Sequence, residues 1–543
     1  MRCCFPAALG VLLPAMSGAS GFKLPIFSTT PPLPSCPAHY TQWASTPHGP
    51  YSTGPLRLPS MRPAPECRTF RSAEVERVIA NVSAQIGDAD LRQLFGNVMP
   101  NTLDTAIAWH DDEAASGVPY TFVITGDINA QWTRDSTNQV MPLMPHLGAD
   151  RALQALVAGL VNMQAEQISA YVFANAYKPP ARAGLVPGEN GWAKGDEVQP
   201  AFNASLVFEA KFEIDSLAAF FKLSAAYWRQ TGGLELIDTP TWLAAVRQSL
   251  AVLERLQQPT YDEMRGGALG DAVVRFQRAA KQPTESCFGG GRGNPVRRTG
   301  MVRTLFRPSD DAATLPFFVP GNAMLAVELE RLAQVLQSLD ASSDATTTGG
   351  NSSSSIESGG VGGSSNERRL ALRMAREIRD GIQRHAVVEH PDYGSVYAYE
   401  VDGYGGRLMM DDANVPSLLA LPYLGFVSRS DPVYRNTRRM VLSAAGNPWY
   451  FEGTSLTGIG SPHTGFRRVW PMAVAMAALT SESSQEVREA LHMLAASTGG
   501  LGLMHESVDA DDPTSFSRPW FAWCNGVVSE LITDTVRRFP GLI

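Results

Sequence analysis

The chain has 543 residues, of which 44% are hydrophobic and 18% are charged, and its formal net charge is −8. This composition is typical of a globular enzyme with enough apolar material for a large core. The acidic balance argues against a nucleic-acid partner, because binding to a phosphate backbone selects a basic surface. An uncharged glycan substrate is compatible with this composition.

Residues 1–20 predict a secretory signal peptide, since one positive charge precedes a short apolar run and small residues. Pro6 and Pro14, together with the shortness of the run, argue against a membrane span. We therefore expect a secreted protein or one of the secretory pathway. Three Asn-X-Ser sequons are candidate N-glycosylation sites: Asn81, Asn203 and Asn351.

The cysteines indicate one disulfide and no metal centre. Cys36 and Cys67 bracket a proline-rich stretch and could pair in an oxidising compartment. Cys287 and Cys524 look unpaired. The sequence has no C-x-x-C or other spacing of metal ligands, so we expect no metal and no cofactor.

The periodicity of apolar residues predicts a mainly helical chain after a proline-rich N-terminal arm at 21–66. Strand signals are short and lie at 118–127 and 395–401. Helices are predicted at 72–86, 134–146, 150–167, 213–231, 240–257, 321–339, 367–386, 412–424, 430–441, 468–480, 485–497 and 519–538.

The segment 340–366 is rich in Ser, Gly and Thr and cannot bury a core. Helices of the same character lie on both sides of it, which favours a disordered insertion in a single domain spanning 67–543. About a dozen helices with polar residues in their connecting loops indicate helical hairpins packed in a ring. Periodicity alone does not distinguish such a ring from a generic helical bundle.

The first polar cluster, at 124–137, places Asp127, Trp132, Arg134 and Asp135 at a predicted strand-to-helix junction. Arg134 can present a planar fork of donors to hydroxyl groups or to a carboxylate. The alternative is structural, with Asp135 capping the helix and Arg134 paired with an acid.

Asp215 lies near the start of the predicted helix at 213–231 and is by default a helix cap. A helix N-terminus lowers the pKa of a carboxyl group, which is wrong for a general acid. Burial or a nearby carboxylate would have to outweigh that effect.

Paired aspartates occur at Asp310–Asp311 and at Asp411–Asp412. They could hold a divalent cation or contact sugar hydroxyls. Cation loops have denser, alternating acids, so contacts to hydroxyls are favoured. His463 lies in a Gly/Ser/Pro loop and is either a ligand contact or a buried structural hydrogen-bonding group.

The stretch 502–525 brings together a histidine, a carboxylate, an arginine and two tryptophans. His505-Glu506 is not the start of a zinc-binding H-E-x-x-H helix, because position 509 is aspartate. The sequence also lacks a G-x-S-x-G elbow, a P-loop and a G-x-G-x-x-G fingerprint. Carboxylates with tryptophans remain, as in a protein that holds a sugar ring.

Eight blocks of polar and aromatic residues follow one another along the chain: Ile124–Ile128, Trp132–Ser136, Ala174–Ala176, Glu213–Leu217, Phe306–Asp311, Met410–Pro416, Met504–Glu506 and Arg518–Asn525. Taken together and in this order, they resemble glycoside hydrolase family 125, and the resemblance extends from about residue 65 to 540. The insertion at 340–366 departs from the compact family pattern but lies outside every block.

The resemblance implies an all-α fold, an (α/α)6 barrel with short β elements in its loops. It also implies an inverting, exo-acting α-1,6-mannosidase without metal or cofactor, with Asp215 as general acid and Glu506 as general base. The candidate contacts to an α-mannoside are Asp127, Trp132, Arg134, Asp135, Asn175, Arg307, Asp310, Asp311, Asp412, Asn414, His463, His505, Arg518, Trp520, Trp523 and Asn525.

Inverting hydrolysis needs one protonated carboxyl group and one carboxylate about 6.5–9.5 Å apart, with a water between the carboxylate and the sugar. Asp215 would therefore have to keep its proton near neutral pH, through burial or a like charge nearby. The alternatives are a non-catalytic mannoside-binding relative of the same fold and a toroid hydrolase of another linkage, including a calcium-dependent mannosidase.

Overall fold

The computed structural model of the chain describes residues 36, 37, 39–112, 117–261, 267, 272–279, 283–347 and 364–543. The predicted signal peptide, most of the segment 340–366 and the sequon at Asn351 lie outside the described residues. A disulfide joins Cys36 to Cys67, as their positions had suggested. Cys287 and Cys524 are buried free thiols.

Helices dominate the described part of the chain. The α-helices are α1 Tyr40–Ala44, α2 Ala73–Ser83, α3 Ala89–Val98, α4 Asn101–Thr105, α5 Thr133–Val140, α6 Arg151–Ala170, α7 Ile214–Thr231, α8 Pro240–Leu256, α9 Phe288–Gly291, α10 Val319–Thr347, α11 Ser365–His385, α12 Leu421–Leu424, α13 Pro432–Val441, α14 Pro471–Leu479, α15 Ser484–Ala496 and α16 Ala522–Arg538. Turns of 3-10 helix lie at Pro65–Cys67, Met141–Ala149, Ala181–Ala183 and Pro283–Glu285.

The strands are short and pair antiparallel in sheets of two or three. They are β1 Ile107–Asp111, β2 Tyr120–Val123, β3 Gln131–Trp132, β4 Ala176–Tyr177, β5 Glu197–Gln199, β6 Val207–Glu209, β7 Arg275–Gln277, β8 Phe317–Phe318, β9 Val387–His390, β10 Gly394–Tyr397, β11 Glu400–Val401, β12 Arg407–Leu408, β13 Tyr450–Phe451, β14 Gly458–Ile459, β15 Arg468–Val469 and β16 Val508–Asp509. Strands β3, β8 and β15 directly precede helices α5, α10 and α14, and so fix where those helices begin.

The helices form an inner and an outer set. Helix α5 packs against α7, α7 against α10, α14 against α16, and α16 against α5. Outside them, α3 contacts α16, α6 and α8 contact α7, α11 contacts α10, and α15 contacts α14. Every residue of α5 is buried, and α14 is apolar around its whole circumference, which is expected of helices enclosed by others.

The two sets begin differently. Helices α2, α6, α8 and α15 start at side-chain caps: Ser72, Asp150, Thr239 and Ser483 accept hydrogen bonds from backbone N–H groups of their first turns. The outer helix α11 has no such cap. The residues before α5, α7, α14 and α16 cap nothing through their side chains. Those four positions are Trp132, Glu213, Trp470 and Phe521. The inner helix N-termini therefore keep donors and positive dipole ends for other partners.

Most predicted helices are confirmed, but the one at 412–424 is wrong, since only Leu421–Leu424 is helical. The carboxylate of Asp411 accepts hydrogen bonds from the backbone N–H groups of Leu418 and Leu419, at 2.8 and 2.9 Å. A side chain that binds backbone groups in this way competes with helix formation, and Pro416 has no N–H to offer a helix.

Two other differences are smaller. The helix predicted at 134–146 ends at Val140 and continues as the 3-10 turn Met141–Ala149, which contains two prolines. The strand predicted at 118–127 is limited to Tyr120–Val123, and helix α3 escaped prediction. The N-terminal arm contains the one-turn helix α1 in addition to extended chain.

Two glycines give a matched test of how tightly helix α6 packs on β2. A Cβ at Gly159 would lie 2.8 Å from the Tyr120 carbonyl carbon and would clash with the Thr121 hydroxyl, whereas a Cβ at Gly96 meets nothing within 4 Å. We expect Gly159→Ala to lower the free energy of unfolding by about 1–3 kcal/mol through overpacking. Gly96→Ala, in helix α3, should raise it by about 0.5–1 kcal/mol. Urea unfolding of both variants measures these changes. A free energy of unfolding of Gly159→Ala equal to that of the wild type would contradict the prediction.

Candidate active site

The uncapped N-termini of α5, α14 and α16 lie around one open cavity. Sequence-predicted residues that line it are Trp132, Arg134, Asp135, Asp310, Asn414, His463, Glu506, Arg518 and Trp523. Lining residues that the sequence did not indicate include Thr125, Ile128, Ser309, Trp470 and Phe521. Trp470 and Phe521 immediately precede α14 and α16. In the sequence, the only sign of their role was that each of these predicted helices begins without a polar capping residue.

Arg134 is the central cation of the site. Its Nη1 lies 2.6 Å from Glu213 Oε2 and 3.0 Å from Asp215 Oδ2, and its Nη2 lies 3.3 Å from Asp135 Oδ2. The guanidinium carbon stands 5.5 Å from the centre of the Trp523 ring. Burial opposes the charge, but the surrounding carboxyl groups raise the pKa of Arg134 well above its ordinary value. Arg134 therefore pairs with acidic side chains and also lines the cavity.

Asp215 lies behind this cation. It is fully buried, it does not belong to the residues that line the cavity, and its Oδ1 has no hydrogen-bond partner. Burial raises the pKa of Asp215, while Arg134 acts in the opposite direction. The neighbouring Glu213 accepts a hydrogen bond from Ser216 at 3.1 Å, and burial raises its pKa well above the ordinary value.

Asp310 reaches the cavity on a backbone held in the left-handed region, with φ of 67°. Its carbonyl accepts a hydrogen bond from Lys211 Nζ at 2.9 Å, and its Oδ1 accepts one from Asn175 Nδ2 at 3.0 Å. Such a conformation is uncommon for a residue other than glycine and persists where neighbours hold it. The contacts on both sides of Asp310 therefore fix its carboxyl group at the cavity wall.

Glu213 and Asp310 form a carboxyl pair joined by a hydrogen bond. Burial would raise the pKa of Asp310, but Lys211 and Arg134 outweigh it and lower that pKa. Because two adjacent buried carboxyl groups do not both ionise readily, the pair keeps one proton, which Glu213 donates to Asp310. The proton therefore resides on Glu213, which is buried beside the cavity-wall residue Asp310.

Glu506 faces the cavity beside Arg518. The Arg518 guanidinium lies 3.4 Å from Glu506 Oε1 through Nη2 and 3.4 Å from Asp127 Oδ1 through Nη1. The same guanidinium carbon lies 5.4 Å from the centre of the Phe521 ring. These contacts hold the Glu506 carboxyl group in place at the cavity wall.

Two buried carboxyl groups, Asp311 and Asp412, contact the cavity-lining residues His463 and Asn414. His463 Nδ1 lies 3.8 Å from Asp311 Oδ1, and this contact outweighs burial and raises the pKa of His463 to about 9. Asp412 accepts hydrogen bonds from Ser461 Oγ and Asn414 Nδ2, each at 3.1 Å. His463 is therefore a cation at neutral pH, and Asn414 has a fixed orientation at the wall.

Several predicted sugar contacts do not line the cavity. Arg307 donates to Glu400 at 2.6 Å, and Trp520 packs edge-to-face on Tyr40 in a separate core cluster. Asn175 is fully buried and contacts the site through Asp310 at 3.0 Å and Glu213 at 3.4 Å.

Two others hold the loops that carry the site. Asn525 Oδ1 accepts from the Met504 N–H at 2.9 Å, two residues before Glu506. His505 Nδ1 lies 2.8 Å from the Arg518 carbonyl oxygen, and its ring stacks on Phe516 with centroids 3.8 Å apart.

The arrangement combines a carboxylate beside a cation, a carboxyl pair that holds a proton, and aromatic rings on the same cavity. Among the described residues no group of His, Cys, Asp and Glu is arranged to hold a metal ion. Within that part of the chain, no helix is long and apolar enough to cross a membrane. Acid–base hydrolysis is a chemistry that this set of groups can perform.

Comparisons with known proteins agree over most of the chain. A family model described as "Metal-independent alpha-mannosidase (GH125)" matches residues 88–533. The Meiotically up-regulated gene 157 protein of Schizosaccharomyces pombe is 47% identical over 513 residues, which cover 94% of this chain and 95% of that protein.

A solved structure is also similar. It is a metal-independent α-mannosidase from Streptococcus pneumoniae in a non-productive complex with α-1,6-mannobiose. The two are 31% identical with a TM-score of 0.74, and the match covers 86% of this chain and 99% of the bacterial one.

Asp135 should make stability depend on pH. Burial raises its pKa to about 6 from the ordinary 3.8. The native state therefore binds this proton more tightly than the unfolded state, and the resulting stability, complete below about pH 4, is lost as pH rises through 6. We expect the wild type to lose about 3 kcal/mol relative to Asp135→Asn between pH 4 and 7. Urea unfolding at each pH measures this, and a constant difference between the two proteins would refute it.

Proposed function

Because this chain belongs to the metal-independent α-mannosidases of glycoside hydrolase family 125, we propose that it is an inverting exo-hydrolase of terminal α-1,6-linked mannose. The observation that carries the proposal is that Glu506 and Asp310 line one cavity, and that Asp310 is paired with the buried carboxyl group of Glu213. The α-1,6-mannobiose in the related bacterial structure supports the linkage.

The proposed architecture is an (α/α)6 barrel. The inner contacts α5–α7, α7–α10, α14–α16 and α16–α5 fit neighbours in a ring. An outer helix packs on each of these inner helices: α6 on α5 and α7, α11 on α10, α15 on α14 and α3 on α16. The similarity to the bacterial mannosidase supports this topology. In such a ring the N-termini of the inner helices gather at one end, where the cavity of this chain opens.

Glu506 is the proposed general base. In an inverting reaction a carboxylate removes a proton from the water that attacks the anomeric carbon, on the face opposite the leaving group. Arg518 limits where the oxygens of Glu506 can lie, through contacts of 3.4 Å to both Glu506 and Asp127. The water would be held between Glu506 and the sugar.

Asp310 is the proposed proton donor to the leaving oxygen. The family resemblance implied Asp215 for this role, but Asp215 is enclosed behind Arg134, whereas Asp310 belongs to the cavity wall. The proton held by Glu213 and Asp310 can pass to the leaving oxygen through Asp310. Asp215 then has a positioning role, in which it and Glu213 fix Arg134 by contacts of 3.0 and 2.6 Å.

We place the protein in the secretory pathway or outside the cell. The disulfide between Cys36 and Cys67 fits an oxidising compartment. Asn81 and Asn203 are exposed, so both sequons are accessible to glycosylation.

Substrate choice and stereochemistry can be tested together. We expect the purified enzyme to hydrolyse α-1,6-mannobiose faster than the α-1,2 and α-1,3 isomers, with β-mannose as the first product because inversion changes the anomeric configuration. Proton NMR during the first turnovers reports both. Initial release of α-mannose would refute inversion, and binding without product would favour a non-catalytic relative.

The proton donor can be identified with a substrate that needs no acid. Asp310→Asn should hydrolyse α-1,6-mannobiose about 10²- to 10⁴-fold more slowly, since general acid catalysis contributes that much. It should keep most activity on α-mannosyl fluoride, because fluoride leaves without protonation.

Glu506→Gln should lose activity on both α-1,6-mannobiose and α-mannosyl fluoride. Asp215→Asn should lose similar fractions of its activity on the two substrates. Thermal unfolding of each variant controls for folding. Selective survival of fluoride hydrolysis in Asp215→Asn, and not in Asp310→Asn, would return the acid role to Asp215.

A further inference from the structure

A second, larger cavity of about 1780 Å³ continues outward from the active-site cavity. The two share wall residues, among them Trp132, Asp310 and Arg518. An exo-enzyme encloses the terminal sugar and leaves the rest of the glycan outside. The outer cavity begins at Asp310, the proposed proton donor, and therefore lies where the leaving part of a substrate would extend.

Trp192 presents an indole ring to this outer cavity. The residue is 79% exposed, although it lines the cavity wall. An exposed tryptophan within a polar cleft provides a flat apolar face and one N–H donor, which together suit the C–H face and hydroxyls of a sugar ring. Trp192 does not line the inner cavity, so it would contact a sugar beyond those next to the cleaved bond.

The loop that carries Trp192 is anchored on the barrel side. Asn190 Oδ1 accepts from the Trp192 N–H at 3.1 Å, and Asn190 Nδ2 donates to the Phe208 carbonyl at 3.3 Å. Asn129 Nδ2 donates to the Val186 carbonyl at 3.0 Å. Phe208 in turn packs edge-to-face against Trp132, with ring centres 5.4 Å apart. The position of the indole is thus tied to an active-site residue.

The charged groups on this wall are paired with one another. Arg278 lies 2.7 Å from Asp196, 2.9 Å from Glu209 and 3.9 Å from Glu285. Lys211 lies 3.7 Å from Glu209. Cations that are neutralised by neighbouring carboxylates attract a phosphate or sulfate weakly, so the wall favours a neutral, hydroxyl-rich ligand.

We propose that the outer cavity is a binding subsite for the leaving part of the glycan, with Trp192 stacked on a sugar at least one residue beyond the cleaved disaccharide. The proposal rests on the hydrolysis of α-mannosides proposed above. It makes the preferred substrate an oligomannoside with two or more sugars on the leaving side. Trp192 is a specificity-determining residue in this view, and the acid and base groups are unaffected by it.

The length preference tests the subsite. We expect kcat/KM for α-1,6-mannotriose to exceed that for α-1,6-mannobiose by about tenfold, or about 1.4 kcal/mol of binding. Trp192→Ala should bring this ratio close to one, and Trp192→Tyr should retain most of it because an aromatic face remains. Val186→Ala, an exposed position of the same loop, and Tyr404→Ala, an exposed aromatic ring elsewhere, should keep the wild-type ratio.

Measuring the affinity for the glycan tests the subsite without depending on turnover. In the Glu506→Gln background, calorimetric titration with α-1,6-mannotriose should give a Kd about tenfold higher when Trp192 is also replaced by Ala. An equal length ratio in wild type and Trp192→Ala, with an equal Kd, would overturn the subsite and leave the proposed function intact. Failure of the wild type to cleave any mannobiose would overturn the function, and an unchanged Kd would then overturn the subsite separately.

Discussion

The contacts between Arg134 and the carboxyl groups of Glu213 and Asp215 are the interaction on which the site depends. All three side chains are buried, and removal of the cation would leave carboxyl groups uncompensated in the interior, at a cost of about 3–5 kcal/mol. The cluster joins the first turn of α5 to the start of α7, since Arg134 belongs to one and Asp215 to the other. It thereby sets where the inner helix ends meet and where Asp310 finds its proton-sharing partner.

The contrast between the helix ends explains why the site lies at this end of the molecule. The outer helices α2, α6, α8 and α15 satisfy their first N–H groups with Ser, Thr and Asp side chains, as isolated helices do. Inner helices instead begin with Trp132, Glu213, Trp470 and Phe521, so that their dipoles and donors act on the groups around the cavity. Aromatic residues at those positions supply the apolar part of the sugar site. These inner helices lack the side-chain caps that would stabilise each of them separately, and polar groups of the proposed reaction lie near their N-termini instead.

The sequence indicated many of the residues that line the cavity, but not which residues of the same types pack elsewhere. Trp132, Arg134, Asp310, Glu506 and Trp523 line the cavity as expected. Trp520 and Arg307 were indistinguishable from them by residue type, yet they pack or pair elsewhere. The prediction of a helix at 412–424 was wrong for a related reason. The apolar spacing is helical, but the buried Asp411 carboxylate accepts hydrogen bonds from the backbone N–H groups of Leu418 and Leu419.

The sequence by itself determined the helical character of the chain, the disulfide-forming cysteines and the set of carboxyl groups, arginines and tryptophans from which a glycoside hydrolase is built. Those properties follow from local periodicity and from ordered blocks of residues. The tertiary structure decided which carboxyl group faces the cavity, because Asp310 belongs to the cavity wall whereas Asp215 is fully buried against Arg134. Burial and charge pairing are long-range properties, and they decide which carboxyl group keeps a proton and which can reach a substrate.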